Sequence, residues 1–199
     1  PPRALDLKIA EIAERLQPGD HRYMNNAGLP EVRRHLAAEL SRTHGVSLHA
    51  EHVIMTCGAA GALNIFLKSV IDVGDEVLLL KPYFPEYLFY VENHGGSVVC
   101  VDSTAAFKPD PERVRAALTP RSRVMILNTP NNPTGVAYDQ AEIDAIGAVL
   151  DAHARRIGRP VYLVMDEPYR VIRYTAKPHP SVFSAAKNAV LVTSFSKDL

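Results

Sequence analysis

The sequence predicts an α/β protein with three layers, α/β/α, in which a mostly parallel central sheet lies between helices. From residue 52 onward, short apolar runs alternate with helical patterns, which is typical of βαβ units. The runs 77–80 and 161–165 are apolar throughout, as expected of strands that are covered on both faces. No internal repeat or interdomain linker interrupts the pattern, so we expect residues 1–199 to form a single domain.

The helices are predicted from apolar residues at helical spacing and from the residues that end them. Leu5, Ile9 and Ile12 recur at this spacing in the first helix, which Pro18-Gly19 ends, and Gly45 ends the second. The predicted helices span residues 4–16, 30–44, 59–71, 86–94, 111–118 and 140–157, with residues 1–22 forming an N-terminal helix and lead-in. The predicted strands span residues 52–56, 76–80, 97–101, 123–128, 161–165 and 189–193.

Composition excludes several classes of function. Lys and Arg number 22, as do Asp and Glu, so the zero net charge favours neither nucleic acid nor an anionic membrane as a partner. Cys57 and Cys100 are too few for a disulfide framework and end apolar runs, so we expect buried free thiols in a reducing compartment. No apolar stretch is long enough to span a membrane and no secretory core stands at the start, which predicts a cytoplasmic protein. The eight histidines show no metal-ligand spacing, so no metal site is predicted.

Unusual residues follow several of the predicted strands. Ligands of parallel sheets bind beyond the carboxyl ends of the strands, so residues at those ends are expected to meet at one edge. Gly58 follows the first predicted strand, Phe84 the second, Asn132 the fourth, Asp166 the fifth and Lys197 the last. We therefore expect one ligand site at this edge.

Lysine and carboxylate chemistry dominate the predicted site. Lys197 follows an apolar strand, where burial disfavours the charged ammonium, so we expect a nucleophilic amine suited to a Schiff base. Asp166 ends the strand 161–165 and needs a cationic partner if it is buried. Two alternatives remain open: Glu167 is the paired acid, or the segment caps a helix that begins at Pro168. Tyr169 offers a phenol one helical turn beyond Asp166.

The remaining segments suit a flat, phosphorylated ligand. Small residues in 58–60 at a helix N-terminus would bind a phosphate, although tight packing of the helix on its strand explains them equally well. Phe84 is placed to stack on a planar ring, whereas Tyr87 is expected only to pack on its helix. The segment 128–135, Asn-Thr-Pro-Asn-Asn-Pro-Thr-Gly, is either a turn-rich loop or a rigid support for one amide, and we favour the second.

Taken together, these motifs resemble the class I aminotransferases, the fold-type-I family of enzymes that use pyridoxal 5′-phosphate (PLP). The resemblance runs from about Tyr23 to Leu199 and includes Gly28-Leu29-Pro30-Glu31-Val32-Arg33. Its most specific parts, in this order, are Asn131-Asn132-Pro133-Thr134-Gly135, Asp166-Glu167-Pro168-Tyr169 and Ser194-Phe195-Ser196-Lys197.

The resemblance implies a role for each site residue. Lys197 would form the Schiff base with PLP and move a proton, and Asp166 would pair with the ring nitrogen. Asn132 and Tyr169 would hydrogen-bond the phenolic oxygen of PLP and tune the Schiff base, and Tyr169 is also counted as a catalytic residue. Ser194 and the backbone of Ala59 and Ala60 would hold the phosphate, and Phe84 would stack on the ring. Gly58 and Ser196 would also belong to the cofactor-binding set. Tyr23 would reach the phosphate of a neighbouring subunit, which implies a homodimer with shared active sites.

The resemblance also implies that residues 1–199 are a truncated large domain. The chain begins Pro1-Pro2-Arg3 and ends shortly after Lys197, so the family's phosphate-binding arginine and the small domain that binds the substrate carboxylate are absent. We expect this chain to be nearly inactive alone and its parent to move an amino group from an amino acid to a 2-oxo acid. The alternatives are a PLP-dependent lyase or decarboxylase on the same fold, a PLP-sensing domain of a transcription regulator, and a fragment without a role of its own.

Overall fold

A computed structural model describes residues 2–197, which divide into two compact units. The first unit ends at Thr56 and the second begins at Cys57. The first contains helices α1 (Arg3–Arg15) and α2 (Pro30–His44) and the 3₁₀ turns Pro18–His21 and Ala50–His52. Helix α2 ends where predicted because Gly45 adopts a left-handed conformation, φ 66°, that a glycine accepts without strain.

The predicted strand 52–56 is wrong. Residues 53–56 are irregular, and hydrogen bonds inside the first unit use the backbone groups that a sheet would need. The guanidinium of Arg33 donates to the carbonyl of Val53 at 2.8 Å. The amide of Met55 donates to the carbonyl of Ala27 at 2.9 Å. A short apolar run therefore predicted a strand where the described residues supply no neighbouring strand.

The second unit contains a five-stranded sheet that is parallel throughout, in the order β2-β1-β3-β4-β5. This confirms the predicted fold class. The strands are β1 (Glu76–Lys81), β2 (Ser97–Asp102), β3 (Ser122–Asn128), β4 (Tyr162–Asp166) and β5 (Ala189–Val192). The helices are α3 (Gly58–Val70), α4 (Glu86–Glu92), α5 (Pro111–Ala117), α6 (Gln140–Ile157) and α7 (Val182–Ala185).

Helices cover both faces of the sheet, so each strand contributes alternate side chains to two cores. Leu78 and Leu80 pack with residues of α5, α6 and α7. Val77 and Leu79 pack with residues of α3 and α4. Burial on both faces explains why β1 is apolar from Val77 to Leu80.

Helix α6 has the predicted bounds because both of its ends carry strong local signals. The Asp139 side chain accepts from the amide of Glu142 at 3.1 Å, and Gly158 ends the helix with φ 68°. Helix α7 was not predicted because four residues are too few to show a helical period. The two helices lie so close that a Cβ on Gly147 would stand 1.9 Å from the carbonyl oxygen of Ala185.

The two predictions about the cysteines, that they are free thiols and that they are buried, have different outcomes. Cys57 and Cys100 are free thiols as predicted, but both are exposed, so the expected burial is wrong. Cys100 lies on β2, which is an edge strand with one side uncovered.

Within residues 2–197, none of the helices combines the length and the apolarity that a membrane crossing requires.

Candidate active site

A cavity of about 330 Å³ opens at the carboxyl edge of the sheet, within the second unit. The ends of β3 and β4, the start of α3 and the start of α4 form its walls, together with the segment that follows β5. The cavity is lined by ten of the predicted site residues: Gly58, Ala59, Ala60, Phe84, Asn132, Asp166, Tyr169, Ser194, Ser196 and Lys197. The edge rule for parallel sheets thus predicted where they meet.

Tyr23 is the eleventh predicted residue, and it belongs to the first unit. Its side chain is fully exposed, and it stands in the irregular segment between the turn Pro18–His21 and α2. Its proposed contact with a neighbouring subunit remains a prediction.

Asp166 is the buried acid of the cavity. It ends β4 and is only 5% exposed. The hydroxyl of Tyr87 donates to its Oδ2 at 2.5 Å, while Oδ1 has no hydrogen-bond partner among the residues that the structure describes. Burial raises the pKa of Asp166 to about 6, against the lowering effect of the Tyr87 hydrogen bond and with a further rise from Glu167. The cavity lining therefore includes a residue with a buried carboxylate oxygen that lacks a partner, and a ligand with a cationic N–H group would suit it.

Glu167 is not the acid of this cavity. It is fully buried, does not line the cavity, and its carboxylate Oε2 contacts His179 Nε2. The alternative of a helix cap is also wrong, because residues 168–171 form a turn in which the amide of Arg170 donates to the Glu167 carbonyl at 3.2 Å. Tyr169 nevertheless reaches the cavity from this turn.

The asparagine-rich loop is a rigid support that also forms turns. The Asn128 amide donates to the Asp166 carbonyl at 2.9 Å, and its Oδ1 accepts from the backbone amide of Asn132 at 2.6 Å. Asn131 accepts from the amide of Thr134 at 3.2 Å, which closes the turn. Because its neighbours carry the structural bonds, the Asn132 side chain is left to line the cavity.

The start of α3 combines a glycine that close packing does not require with the N–H groups of a helix N-terminus. Gly58 has φ +68°, which explains the glycine, and a Cβ added there would meet no atom within 4 Å. The Cys57 side chain makes no capping hydrogen bond to the helix. Helix N-termini present unpaired N–H groups and a positive dipole end, which together bind phosphates. Ser194 lines the same cavity, with its Oγ 3.0 Å from the Oγ of Ser196.

Lys197 lies in the 3₁₀ turn Phe195–Lys197, five residues beyond the end of β5. Its side chain is exposed at the cavity, so the burial that we expected for this amine is wrong. Strand β5 ends at Val192, and residues 193–196 separate Lys197 from the part of the sheet that is covered by helices.

Tyr87 and Asn128 are site residues that the sequence reasoning missed. Tyr87 is 2% exposed and was expected only to pack, yet its hydroxyl binds Asp166 and its ring meets Phe84 edge to face at 5.7 Å. The available signal was its place one helical turn after Phe84, since a buried phenol needs an acceptor. Asn128 could have been found as the last residue of a buried strand.

Comparison with known proteins agrees with this geometry. Residues 4–199 match the family described as aminotransferase class I and II. The chain is 39% identical to the aspartate/prephenate aminotransferase of Thermus thermophilus, over 83% of this chain and 42% of that protein. It is 33% identical to the aspartate aminotransferase of Geobacillus stearothermophilus, over 92% of this chain and 44% of that protein. Among solved structures, an amino transferase from Eubacterium rectale gives a TM-score of 0.94 at 32% identity, over 98% of this chain and 50% of its own.

The chain therefore belongs to the class I and II aminotransferase family, whose members use PLP, and this confirms the resemblance predicted from the motifs. It spans about half the length of the curated relatives that it matches.

The donor set of the cavity fits PLP. The unpartnered Oδ1 of Asp166 suits a protonated ring nitrogen, and the start of α3 with Ser194 suits a phosphate. Phe84 supplies an aromatic wall, and Asn132 and Tyr169 supply hydrogen-bond donors. Among residues 2–197, no three His, Cys, Asp or Glu side chains are grouped to bind a metal ion.

Proposed function

We propose that the whole protein is a PLP-dependent aminotransferase that moves an amino group from an amino acid to a 2-oxo acid. The observation that carries the proposal is the presence, in one cavity, of the lysine Lys197 and a buried carboxylate, Asp166, with an unused oxygen. A buried acid without a cation is unfavourable by itself, which supports a ligand that completes the pair. Membership of the aminotransferase family supports the same function.

We propose roles for the residues of the cavity. Asp166 would hold the ring nitrogen, while Asn132 and Tyr169 would bind the phenolic oxygen. The amides of Ala59 and Ala60, together with Gly58, would hold the phosphate. Ser194 and Ser196 would add hydroxyl donors, and Phe84 would cover one face of the ring.

The proposed chemistry divides between the cofactor and the chain. When bound, PLP supplies an aldehyde that takes up the amino group and a protonated ring that withdraws electrons from the substrate. Asp166 keeps that ring nitrogen protonated, because a carboxylate stabilises the adjacent cation. Lys197 moves a proton between the substrate Cα and the C4′ atom of PLP, acting as general base and then as general acid.

We propose that the whole protein works as a cytoplasmic homodimer in amino-acid biosynthesis, with Tyr23 contributing to the site of the neighbouring subunit. The full exposure of Tyr23 is compatible with such a contact. We further propose that residues 1–199 are the large domain and that a small domain completes the substrate site, which the coverage of about half of each relative supports. Aspartate is the first amino donor to test, because several relatives carry the name aspartate aminotransferase.

The covalent role of Lys197 can be tested with PLP and borohydride, which makes a PLP–lysine bond permanent. Peptide mass spectrometry is expected to find the label on Lys197, no site-specific label in Lys197→Ala, and an unchanged pattern in Lys187→Ala. Lys187 is the matched control because it is an exposed lysine outside the cavity. Equal labelling of both residues in the wild type would show that Lys197 is an ordinary surface lysine.

The reaction type needs the whole protein. Aspartate with 2-oxoglutarate is expected to yield oxaloacetate and glutamate, with less than about one-thousandth of that rate in Lys197→Ala. Release of ammonia and pyruvate or of carbon dioxide, without exchange of 2-oxo acids, would instead identify a lyase or a decarboxylase. Retention of PLP without turnover of any amino acid would support a regulatory binding domain.

A further inference from the structure

We propose that Tyr87 is a positioning residue of this cavity: its hydroxyl holds one oxygen of Asp166, so that the other oxygen is presented to the ring nitrogen of a pyridinium ligand. The inference rests on the proposed function, because the ligand is the cofactor proposed there. It goes further by assigning a role to a residue that the motifs of the chain do not contain.

The geometry of Tyr87 supports orientation rather than simple packing. Its hydroxyl lies 2.5 Å from Asp166 Oδ2, across 79 residues of chain, and it is 2% exposed. The ring is held between two others, with Phe84 at 5.7 Å and Tyr90 at 6.3 Å. A side chain so enclosed has few alternative positions, so it fixes the rotation of the Asp166 carboxylate.

The direction of the hydrogen bond is also fixed. Burial raises the pKa of Tyr87 far above its ordinary value, and the neighbouring Asp166 raises it further. The phenol therefore stays protonated and donates to Oδ2 whenever Asp166 is ionised, which leaves Oδ1 as the oxygen for the ligand. The bond also lowers the pKa of Asp166 against the effect of burial, so it favours the charged form that a pyridinium needs.

Other ionisable groups lie near the same carboxylate, and not all of them point toward it. Around Asp166 stand Glu167 on its own strand segment, Tyr87, Tyr90 and Glu86 on α4, Tyr169 on the following turn, and Lys197. Tyr90 is not equivalent to Tyr87, because its hydroxyl donates to Glu86 at 2.5 Å. Among the described residues, Tyr87 alone donates a hydrogen bond to the Asp166 carboxylate.

A pair of ligands isolates this effect in the full chain: PLP and its 1-deaza analogue, in which CH replaces the ring nitrogen. Both keep the phosphate, the aldehyde and the phenolic oxygen, so only PLP can use Asp166 Oδ1. Tyr87→Phe removes the hydroxyl and keeps the ring. We expect it to weaken PLP binding about tenfold, as for loss of a charge-assisted hydrogen bond, and to change binding of the deaza analogue less than about twofold.

Two control variants make the outcomes distinct. Tyr138→Phe removes the hydroxyl of a buried tyrosine that lies outside the cavity, and both affinities are expected to stay as in the wild type. Asp166→Ala is expected to abolish the preference for PLP over the deaza analogue. If Asp166→Ala keeps that preference, the proposed function is wrong at this site. If Asp166→Ala loses the preference but Tyr87→Phe keeps all of it, Tyr87 has only a packing role and the inference is overturned.

A second measurement needs no cofactor. Carbon-13 NMR of the carboxyl groups, with Asp166→Asn to assign the signal, is expected to show Asp166 titrating near a pKa of about 6. Tyr87→Phe is expected to move that midpoint upward, and Tyr138→Phe to leave it in place. An unchanged midpoint in Tyr87→Phe would overturn the inference. The titration still tests the inference if the chain binds neither ligand, a result that would refute the proposed function. Circular dichroism of each variant at the titration temperature verifies that it is folded.

Discussion

Replacing Asp166 by asparagine is expected to stabilise the cofactor-free chain. The side chain is 5% exposed, and within residues 2–197 no hydrogen-bond partner faces its Oδ1. Its ionised form has lost water without gaining a cation, which is unfavourable. Asparagine keeps the shape and the acceptor for Tyr87 but carries no charge, so the variant avoids this desolvation.

The magnitude follows from the pKa. The folded value of about 6 lies above the ordinary 3.8, so the folded state binds more protons than the unfolded state between these two values. The free energy of unfolding therefore falls as the pH rises through this window. Above pH 6, the stability that comes from the protonated Asp166 carboxyl is lost fully. At 1.36 kcal/mol per pKa unit, the loss is about 3 kcal/mol. We expect a net gain of about 2 kcal/mol for Asp166→Asn, because the new amide N–H groups face the cavity without a partner.

Urea unfolding of the cofactor-free chain at several pH values measures this gain. The difference between Asp166→Asn and wild type should be a gain of about 2 kcal/mol near pH 8 and should become a loss of up to about 1 kcal/mol below pH 4, where only the cost of the unpartnered amide N–H groups remains. Asp75→Asn is the matched control, since Asp75 is equally buried but lies 3.3 Å from Arg159 and 3.8 Å from Arg123. That variant should be less stable than wild type by about 2 kcal/mol. A loss of stability in Asp166→Asn near neutral pH, or a difference independent of pH, would refute the reasoning.

Two further predictions concern the framework of the site. Gly147→Ala should lose at least about 3 kcal/mol in urea unfolding, because the new Cβ would stand 1.9 Å from a backbone carbonyl oxygen of α7. Gly158→Ala, where a Cβ meets nothing within 4 Å, should lose only about 1 kcal/mol from its positive φ, and equal losses would contradict the packing argument. Asn128→Ala removes the side-chain hydrogen bond to the Asp166 carbonyl at the end of β4 and the one that the Asn132 amide donates, so it should lose about 2 kcal/mol and bind PLP more weakly by equilibrium dialysis. Asn93→Ala, at an exposed helix end, is its control, and unchanged PLP binding in Asn128→Ala would show that the loop is held by other contacts.

Local signals predicted those parts of the fold that depend on neighbours in sequence. The bounds of α6 follow from Asp139 and Gly158 at its ends. The parallel sheet follows from strands that are apolar on both faces, and the sheet edge in turn predicts the cavity. The wrongly predicted strand at 52–56 shows the limit, because a short apolar run contains no information about whether a partner strand is present.

Long-range contacts explain what the sequence could not predict. The hydrogen bond between Tyr87 and Asp166 joins residues 79 positions apart, so no local pattern encodes it. The exposure of Lys197 depends on where β5 ends and on the turn Phe195–Lys197 that follows. The apolar run 189–193 does not indicate either feature. The choice between Asp166 and Glu167 depends on which side chain points into the cavity, and adjacent residues of an extended chain point in opposite directions.

The two ends of the sheet treat buried acids differently, and this contrast argues for a ligand at one end only. At the amino end, Asp75 lies beside two arginines, and Glu76 accepts from Arg121 at 2.6 Å. At the carboxyl end, Asp166 is as deeply buried, yet the described residues give it a phenol and no cation within salt-bridge distance. At the amino end, the same chain pairs Asp75 and Glu76 with arginines. The unpaired Asp166 therefore destabilises the folded protein unless a bound cation pairs with it. Stability and ligand binding therefore oppose each other at Asp166, and the gain expected from Asp166→Asn should reverse when PLP is present.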